Sequence, residues 1–249
     1  MRVLLAGESW VTHSVHVKGV DSFDTSTYVE GAGRLIEALQ AANLEVDYLP
    51  AHLVPPRFPA TAADLSQYGA VILSDIGANS LLLAPATFER SEAAPNRLAS
   101  VERYVRDGGG LLMIGGYLSF AGIEGKARYH DTPVETALPV TVSPHDDRVE
   151  CPEGIQPVVT EPGHPVLDGV PRDWPPLLGY NRLAAKSATQ VLVRCGADPL
   201  LTVCSHGAGR SAAFASDCAP HWCPPAFMSW PGYTPLWGNL LRWLSGQQQ

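Results

Sequence analysis

Residues 108–120 read GGGLLMIGGYLSF. The apolar run Leu111–Ile114 is a strand bounded by glycine on both sides, and Gly115-Gly116 opens a sharp turn that presents Tyr117. In an α/β protein a strand running into such a turn is where a nucleophile is held on a tight elbow, because only glycine lets the backbone bend closely around it. The residue presented here is a tyrosine rather than Cys or Ser. A phenol with an ordinary pKa of about 10 is a poor nucleophile at neutral pH, so the stretch indicates the fold more firmly than the reaction.

Working outward, Arg2–Ala6 (RVLLA) reads as a buried first strand, and Tyr28–Ala42 carries Val29, Ala32, Leu35, Ile36 and Leu39 at helical spacing. With a strand at Glu45–Leu49 these form a βαβ unit. Ala70–Ser74 (AVILS) is a continuous apolar strand, and Arg97–Arg106 is an amphipathic helix stopped by Gly108-Gly109-Gly110. Further on, Gln190–Cys195, Leu200–Cys204 and Ser211–Ala215 read as strands, the last two joined through SHGAGR as a hairpin. Tyr233–Leu244 is a helix with a broad apolar face. The expected fold is α/β: a flavodoxin-like, doubly wound, mostly parallel sheet flanked by helices, with an antiparallel extension near the C-terminus. Residues 1–249 are read as one domain, with Val140–Pro176 as a substantial Pro-rich insertion.

A hydrophobic content of 45% is ample for a large core. The formal net charge of -8, with no run of Lys and Arg, argues against a nucleic-acid partner. No apolar run approaches the roughly 18 residues of a membrane span, and Met1 leads straight into a strand, so a cytoplasmic protein without a membrane partner is expected. Five scattered cysteines fit reduced thiols better than a disulfide framework.

Ligands of open parallel sheets bind beyond the carboxyl ends of the strands. The residues there are Glu8, Ser9 and Trp10 after the first strand, Asp75, Gly77 and Asn79 after AVILS, Gly116, Tyr117 and Ser119 at the elbow, and Ser216, Asp217, Cys218 and His221 after the last. Glu8 and Asp75 are each read either as ligand-facing carboxylates or as acceptors of local backbone N–H groups. Lys126 and Arg128 follow the elbow and are candidates for an anionic substrate, or solvated loop cations. His13, His16 and Lys18 occupy a segment before the first helix long enough to serve as a lid.

The motifs GESW (7–10), SDIGANS (74–80), GGGLLMIGGY (108–117), IEGKARY (123–129), HPVLDGVP (164–171), GYNRL (179–183) and SDCAPHW (216–222) occur in order over nearly the whole chain. Together they resemble the putative glutamine amidotransferase family, a branch of the class I glutamine amidotransferase-like superfamily. The resemblance implies that Tyr117 stands where glutaminases of the superfamily carry their nucleophilic Cys, and that His221 is the counterpart of their His. The acid usually found two residues after that His is replaced by Cys223, with Asp217 as a substitute from the preceding turn. Ordinary Cys-dependent glutamine hydrolysis is therefore not expected.

Cys218, three residues before His221, is either a displaced nucleophile or a small buried side chain. The Cys218, His221, Cys223 cluster lacks a fourth ligand at suitable spacing, so no metal is expected, and no dinucleotide or phosphate-loop motif calls for an organic cofactor. Two functions follow. One is an amidotransferase-like hydrolase acting on a small polar metabolite, with His221 as acid/base, Glu8 and Asp217 as carboxylates and Tyr117 as hydrogen-bond donor, and Ser9, Asp75, Asn79, Gly116, Ser119, Lys126, Arg128 and Cys218 contacting substrate. The other is a non-catalytic ligand-binding or interaction module on the same fold, with Trp222, Trp230, Trp237 and Trp243 forming apolar walls or the face of a homo-oligomer.

Overall fold

In the computed structural model, which describes residues 1–246, the chain begins with β1 (Arg2–Gly7), β2 (Ser9–Lys18), β3 (Asp21–Glu30), α1 (Gly33–Ala41) and β4 (Glu45–Leu49). Two single-turn helices, α2 (Val54–Arg57) and α3 (Ala62–Leu65), lead to β5 (Ala70–Ser74). Then come α4 (Ala78–Leu82), α5 (Pro85–Arg90), α6 (Arg97–Arg106) and β6 (Gly110–Ile114). The second half holds α7 (Pro133–Ala137), β7 (Val140–Thr141), β8 (Arg148–Ile155), β9 (Pro157–Val159), β10 (Leu177–Asn181) and β11 (Ala184–Ala185). It closes with β12 (Gln190–Cys195), β13 (Asp198–His206), β14 (Gly209–Phe214), α8 (Pro225–Met228) and α9 (Tyr233–Leu244).

The main sheet has the order β4-β1-β5-β6-β14-β13-β12-β9. The pairs from β4 through β14 are parallel, and those from β14 to β9 are antiparallel. This is the doubly wound sheet with its antiparallel extension. β5 and β6 are buried along their whole length, as expected of parallel strands with both faces covered. On one side α9 packs on α1, β6 and β14; α6 packs on the same two strands and on α3 and α7. The start of α6 is set by Asn96, whose side chain accepts from the N–H groups of Leu98 (3.0 Å) and Ala99 (3.2 Å).

The order reverses at β1, which is flanked by β4 on one side and β5 on the other. Such a reversal leaves a crevice beyond the carboxyl ends of the two strands, and Glu8 and Asp75 are the residues that stand there.

The helix expected over Tyr28–Ala42 begins only at Gly33, because Tyr28–Glu30 belong to β3. Phe23, Thr25, Thr27, Tyr28 and Val29 favour a pleated strand, β2 and β3 pair through ten consecutive residues from Ser9↔Glu30 to Lys18↔Asp21, and Gly31 separates strand from helix. The segment expected as a lid is thus a long β-hairpin carrying His13, His16 and Lys18 on one strand. Of the Val140–Pro176 segment, β8 pairs with β10 outside the main sheet, while β9 extends the sheet's edge. Trp222 and Trp237 are fully buried and Trp230 nearly so, and Trp243 packs against the His164 ring, so these tryptophans belong mainly to the core rather than to an exposed oligomer face.

Candidate functional site

Four strand ends meet at the crevice. β1 runs into Gly7, whose φ of +107° and close approach to β5 exclude a side chain: a Cβ there would sit 1.9 Å from the Ser74 carbonyl oxygen. Glu8 and Asp75, at the ends of adjacent strands, both take left-handed backbone conformations, with φ of 49° and 43°. Such conformations are disfavoured for non-glycine residues and cluster at functional sites. The Glu8 N–H donates to the Ser74 carbonyl at 2.8 Å, tying the two ends together.

The Glu8 side chain is buried. Its Oε2 accepts from the Ser74 hydroxyl at 2.5 Å and lies 3.6 Å from the Cys218 Sγ, which is itself 3.6 Å from Ser74 Oγ. Asp217, also buried, accepts from the Ala219 N–H at 2.9 Å. Three carboxyls therefore share one poorly solvated space, and burial raises the pKa of each. Burial and then the neighbouring Asp75 push Glu8 up to about 7. Burial lifts Asp75, and burial followed by repulsion from Glu8 and Asp75 lifts Asp217 well above its ordinary value. Burial, then Glu8 and Asp217, raises the Cys218 thiol, so it is held as S–H and is not a thiolate.

The elbow lies beside this cluster. Asp75 Oδ1 accepts from the Leu118 N–H at 2.6 Å, and Gly116, with φ +148°, leaves no room for a Cβ, which would come within 2.7 Å of that same oxygen. Ser119 Oγ donates to the Ile114 carbonyl at 2.5 Å and accepts from the Asp75 N–H at 3.1 Å. The chain continues through turns and a 3₁₀ segment at Ile123–Gly125, with no α-helix until α7, so no helix N-terminus backs Tyr117. Asn181 holds the elbow from behind: its Oδ1 accepts from Gly116 N–H at 3.0 Å and its Nδ2 donates to Asp147 at 2.8 Å. Asp147 in turn accepts from the N–H groups of Ala121 and Gly122.

Above the acids stands a stack of planar groups. The Tyr117 and His221 rings are 5.1 Å apart and 14° from parallel, and Trp10 lies 5.9 Å beyond His221. On the other side the Arg148 guanidinium sits 5.0 Å from the Tyr117 ring centre. The Tyr117 hydroxyl donates outward to Glu150 at 3.1 Å, and Trp222 Nε1–H donates to the other Glu150 oxygen at 2.9 Å. His221 is exposed, and its Nδ1 is 4.0 Å from Asp217, too far for a hydrogen bond.

The sequence-predicted residues Glu8, Asp75, Gly116, Tyr117, Asp217, Cys218 and His221 are thus brought together. Ser9 is adjacent but is engaged with the Ala51 N–H at 2.8 Å, and Ser119 is occupied within the elbow. Asn79 is exposed on α4, Lys126 is exposed and paired with Glu124 at 2.5 Å, and Arg128 is exposed on its loop; none of the three bonds to the cluster among the described residues. Ser74, Asn181, Asp147, Arg148 and Glu150 were not anticipated. Asn181 lay within GYNRL, whereas Arg148 and Glu150 come from β8, whose pairing with β10 carried no sequence signal.

A flavodoxin-like α/β sheet with a glycine elbow facing an acid-lined switch point defines a protein of the glutamine amidotransferase-like class. Residues 2–246 match the family model described as putative glutamine amidotransferase, and the chain belongs to that family. It is similar to two solved Salmonella typhimurium proteins, cytoplasmic protein STM3548 (47% identity, TM-score 0.95) and, from strain LT2, cytoplasmic protein STM1381 (48% identity, TM-score 0.94). Each similarity covers 98% of this chain and 99% of the other. A putative ThuA-like protein from Parabacteroides merdae ATCC 43184 shares the fold at 15% identity and a TM-score of 0.55, over 98% of this chain and 89% of its own. None of the curated proteins matches the chain. Among the described residues no helix is long and apolar enough to cross a membrane.

Proposed function

We propose that this protein binds a small polar metabolite at the carboxyl end of its sheet and does not hydrolyse amides through a cysteine. The observation that carries this reading is the Leu118 N–H donating to Asp75 at 2.6 Å. In an elbow enzyme the N–H of the residue after the nucleophile stabilises the oxyanion of the tetrahedral intermediate. Here a carboxylate oxygen occupies that donor. Tyr117 in the position of the superfamily's Cys, stacked on His221 with its hydroxyl turned to Glu150, supports the same reading. So does the Cys218 thiol, buried and held protonated.

The acids Glu8, Asp75 and Asp217 favour a ligand that offers N–H or O–H donors, and the half-buried rings of Trp10 and Tyr117 with the exposed His221 favour one with a flat or apolar face. Two strained carboxylates on neighbouring strand ends fit a site kept for binding rather than for stability. The cytoplasmic description of the two Salmonella proteins favours an intracellular metabolite.

A second reading, acid–base chemistry on the bound metabolite, is favoured by one feature, Glu8 poised at about 7, where a group both takes and gives protons at neutral pH. The test is ammonia release from glutamine and small amides together with a thermal-shift screen of amino and polyhydroxy metabolites. No ammonia, with a ligand whose stabilisation is lost in Asp217→Asn and His221→Ala, supports binding. Ammonia release abolished by His221→Ala overturns it.

A further inference from the structure

Each of the three acids at the crevice commits only one of its two oxygens to the protein. Glu8 Oε2 accepts from the Ser74 hydroxyl at 2.5 Å, Asp75 Oδ1 from the Leu118 N–H at 2.6 Å, and Asp217 Oδ1 from the Ala219 N–H at 2.9 Å. Among the described residues Glu8 Oε1, Asp75 Oδ2 and Asp217 Oδ2 accept no hydrogen bond. Two of these open oxygens belong to side chains deep in the molecule, Glu8 at 1% and Asp217 at 2% exposure. Buried polar atoms are ordinarily satisfied, so acceptors left open at this depth mark a place for donors that the chain itself does not supply.

Both of these oxygens face the mouth of the crevice. Asp217 Oδ2 is turned to the exposed His221 ring, whose Nδ1 is 4.0 Å away. Glu8 Oε1 lies against Gly31 together with the rim of the Trp10 ring: a Cβ on Gly31 would come within 2.8 Å of that oxygen and 2.9 Å of the ring. Gly31 does not take a left-handed conformation, so what the glycine provides here is room. No cation of the chain balances the three acids. Apart from His221, no basic side chain pairs with any of them among the described residues, and the Arg148 guanidinium stacked on Tyr117 is held by Asp146 at 2.8 Å. Carboxyls buried without a counter-ion are costly as anions and hold their protons, which an entering cation replaces.

We propose, on the binding reading above, that the metabolite carries a primary ammonium group and that this group is seated among Glu8, Asp75 and Asp217. An ammonium has three N–H donors and no acceptor, which matches three open oxygens one for one. A guanidinium pairs in its plane with both oxygens of one carboxylate, and here one oxygen of each acid is already taken. A divalent metal would draw on Glu8, Asp217 and Cys218, whose ligand atoms lie within 4.8 Å of one another, but it would need the buried thiol stripped of its proton. The face of the Trp10 ring and the net charge of -8 both attract a cation to this end of the sheet.

The probe is methylammonium chloride, the smallest organic molecule with the proposed group, so the outcome does not depend on the rest of the metabolite. Two heavy atoms bind in the millimolar range at best, so concentrations run to about 100 mM. Thermal midpoints of the full chain are compared at pH 8, past the Glu8 value of about 7, in methylammonium, tetramethylammonium and sodium chlorides and in methanol. The expected result is a saturating rise with methylammonium that the other three solutes do not give and that Asp217→Asn abolishes. An equal rise with tetramethylammonium or methanol, no rise beyond that in sodium chloride, or a rise that persists in folded Asp217→Asn overturns the proposal. If Asp217→Asn does not fold, the four solutes on the wild type decide alone. Stabilisation by zinc chloride with none by methylammonium overturns it in favour of a metal. A neutral or acidic metabolite that stabilises the chain through Asp217 and His221, with no methylammonium effect, removes the ammonium and leaves the binding site standing; a blank metabolite screen with no methylammonium effect removes both.

Discussion

The backbone N–H of Leu118 and the carboxylate of Asp75 are 2.6 Å apart, so the elbow amide closest to Tyr117 is already hydrogen-bonded to an acid. This one contact separates the shape of an elbow from its chemistry. An amide already committed to a carboxylate cannot receive a developing oxyanion without first displacing it, and the oxyanion would also face a negative neighbour.

Placing a thiol on the elbow is therefore not expected to be enough for amide hydrolysis. Tyr117→Cys is expected to release no ammonia from glutamine above the wild-type background, because its neighbouring amide remains engaged by Asp75 and no helix N-terminus lowers the thiol's pKa. A colorimetric ammonia assay on the purified variant checks this, and turnover by that single substitution would show that Asp75 yields.

Glu8 makes stability depend on pH. Its carboxyl has a pKa of about 7 in the fold and an ordinary value of 4.5 when unfolded. Between those values the native state holds the proton that the unfolded state has lost, so the stabilisation present below 4.5 falls away as the pH rises through 7. The loss is on the order of 3 kcal/mol across that window, and Asp75 and Asp217, also raised, act in the same direction. Urea titrations at pH 5 and pH 8 are expected to show the wild type weaker at pH 8, with a shallower dependence in Glu8→Gln.

Asn181 is fully buried and joins the elbow to Asp147. Asn181→Ala leaves the Gly116 N–H and one Asp147 oxygen without that partner, and is expected to cost about 3 kcal/mol. The exposed Asn79→Ala, by contrast, is expected to change stability by less than about 0.5 kcal/mol. Urea midpoints of the two variants, read side by side, check the difference.

Cys218 is buried among acids that keep its thiol protonated. It is expected to resist iodoacetamide in the native protein and to react on unfolding, whereas half-buried Cys204 reacts sooner. Peptide mass mapping after a timed exposure distinguishes them, and rapid native labelling of Cys218 would restore it as a nucleophile.

The alternation of apolar runs and turn residues determined the sheet and its main helices. AVILS and LLMI are buried on both faces, which only a covered parallel strand requires, and the helices at Arg97–Arg106 and Tyr233–Leu244 carry apolar stripes of helical period with the same limits as α6 and α9. The strand ends also placed Glu8, Asp75, Tyr117, Asp217 and His221 at one end of the sheet, because topology alone carries them there. The hairpin was hidden because Val29, Ala32, Leu35, Ile36 and Leu39 satisfy a helical period that runs across the strand–helix boundary at Gly31. What only the tertiary structure decided is which polar atoms meet: Leu118 with Asp75, Glu8 with Ser74 and Cys218, Asn181 with Asp147, and Tyr117 with Glu150. Those pairs are separated by tens to hundreds of residues, and a hydrogen bond depends on distances of a few tenths of an ångström that no local pattern encodes.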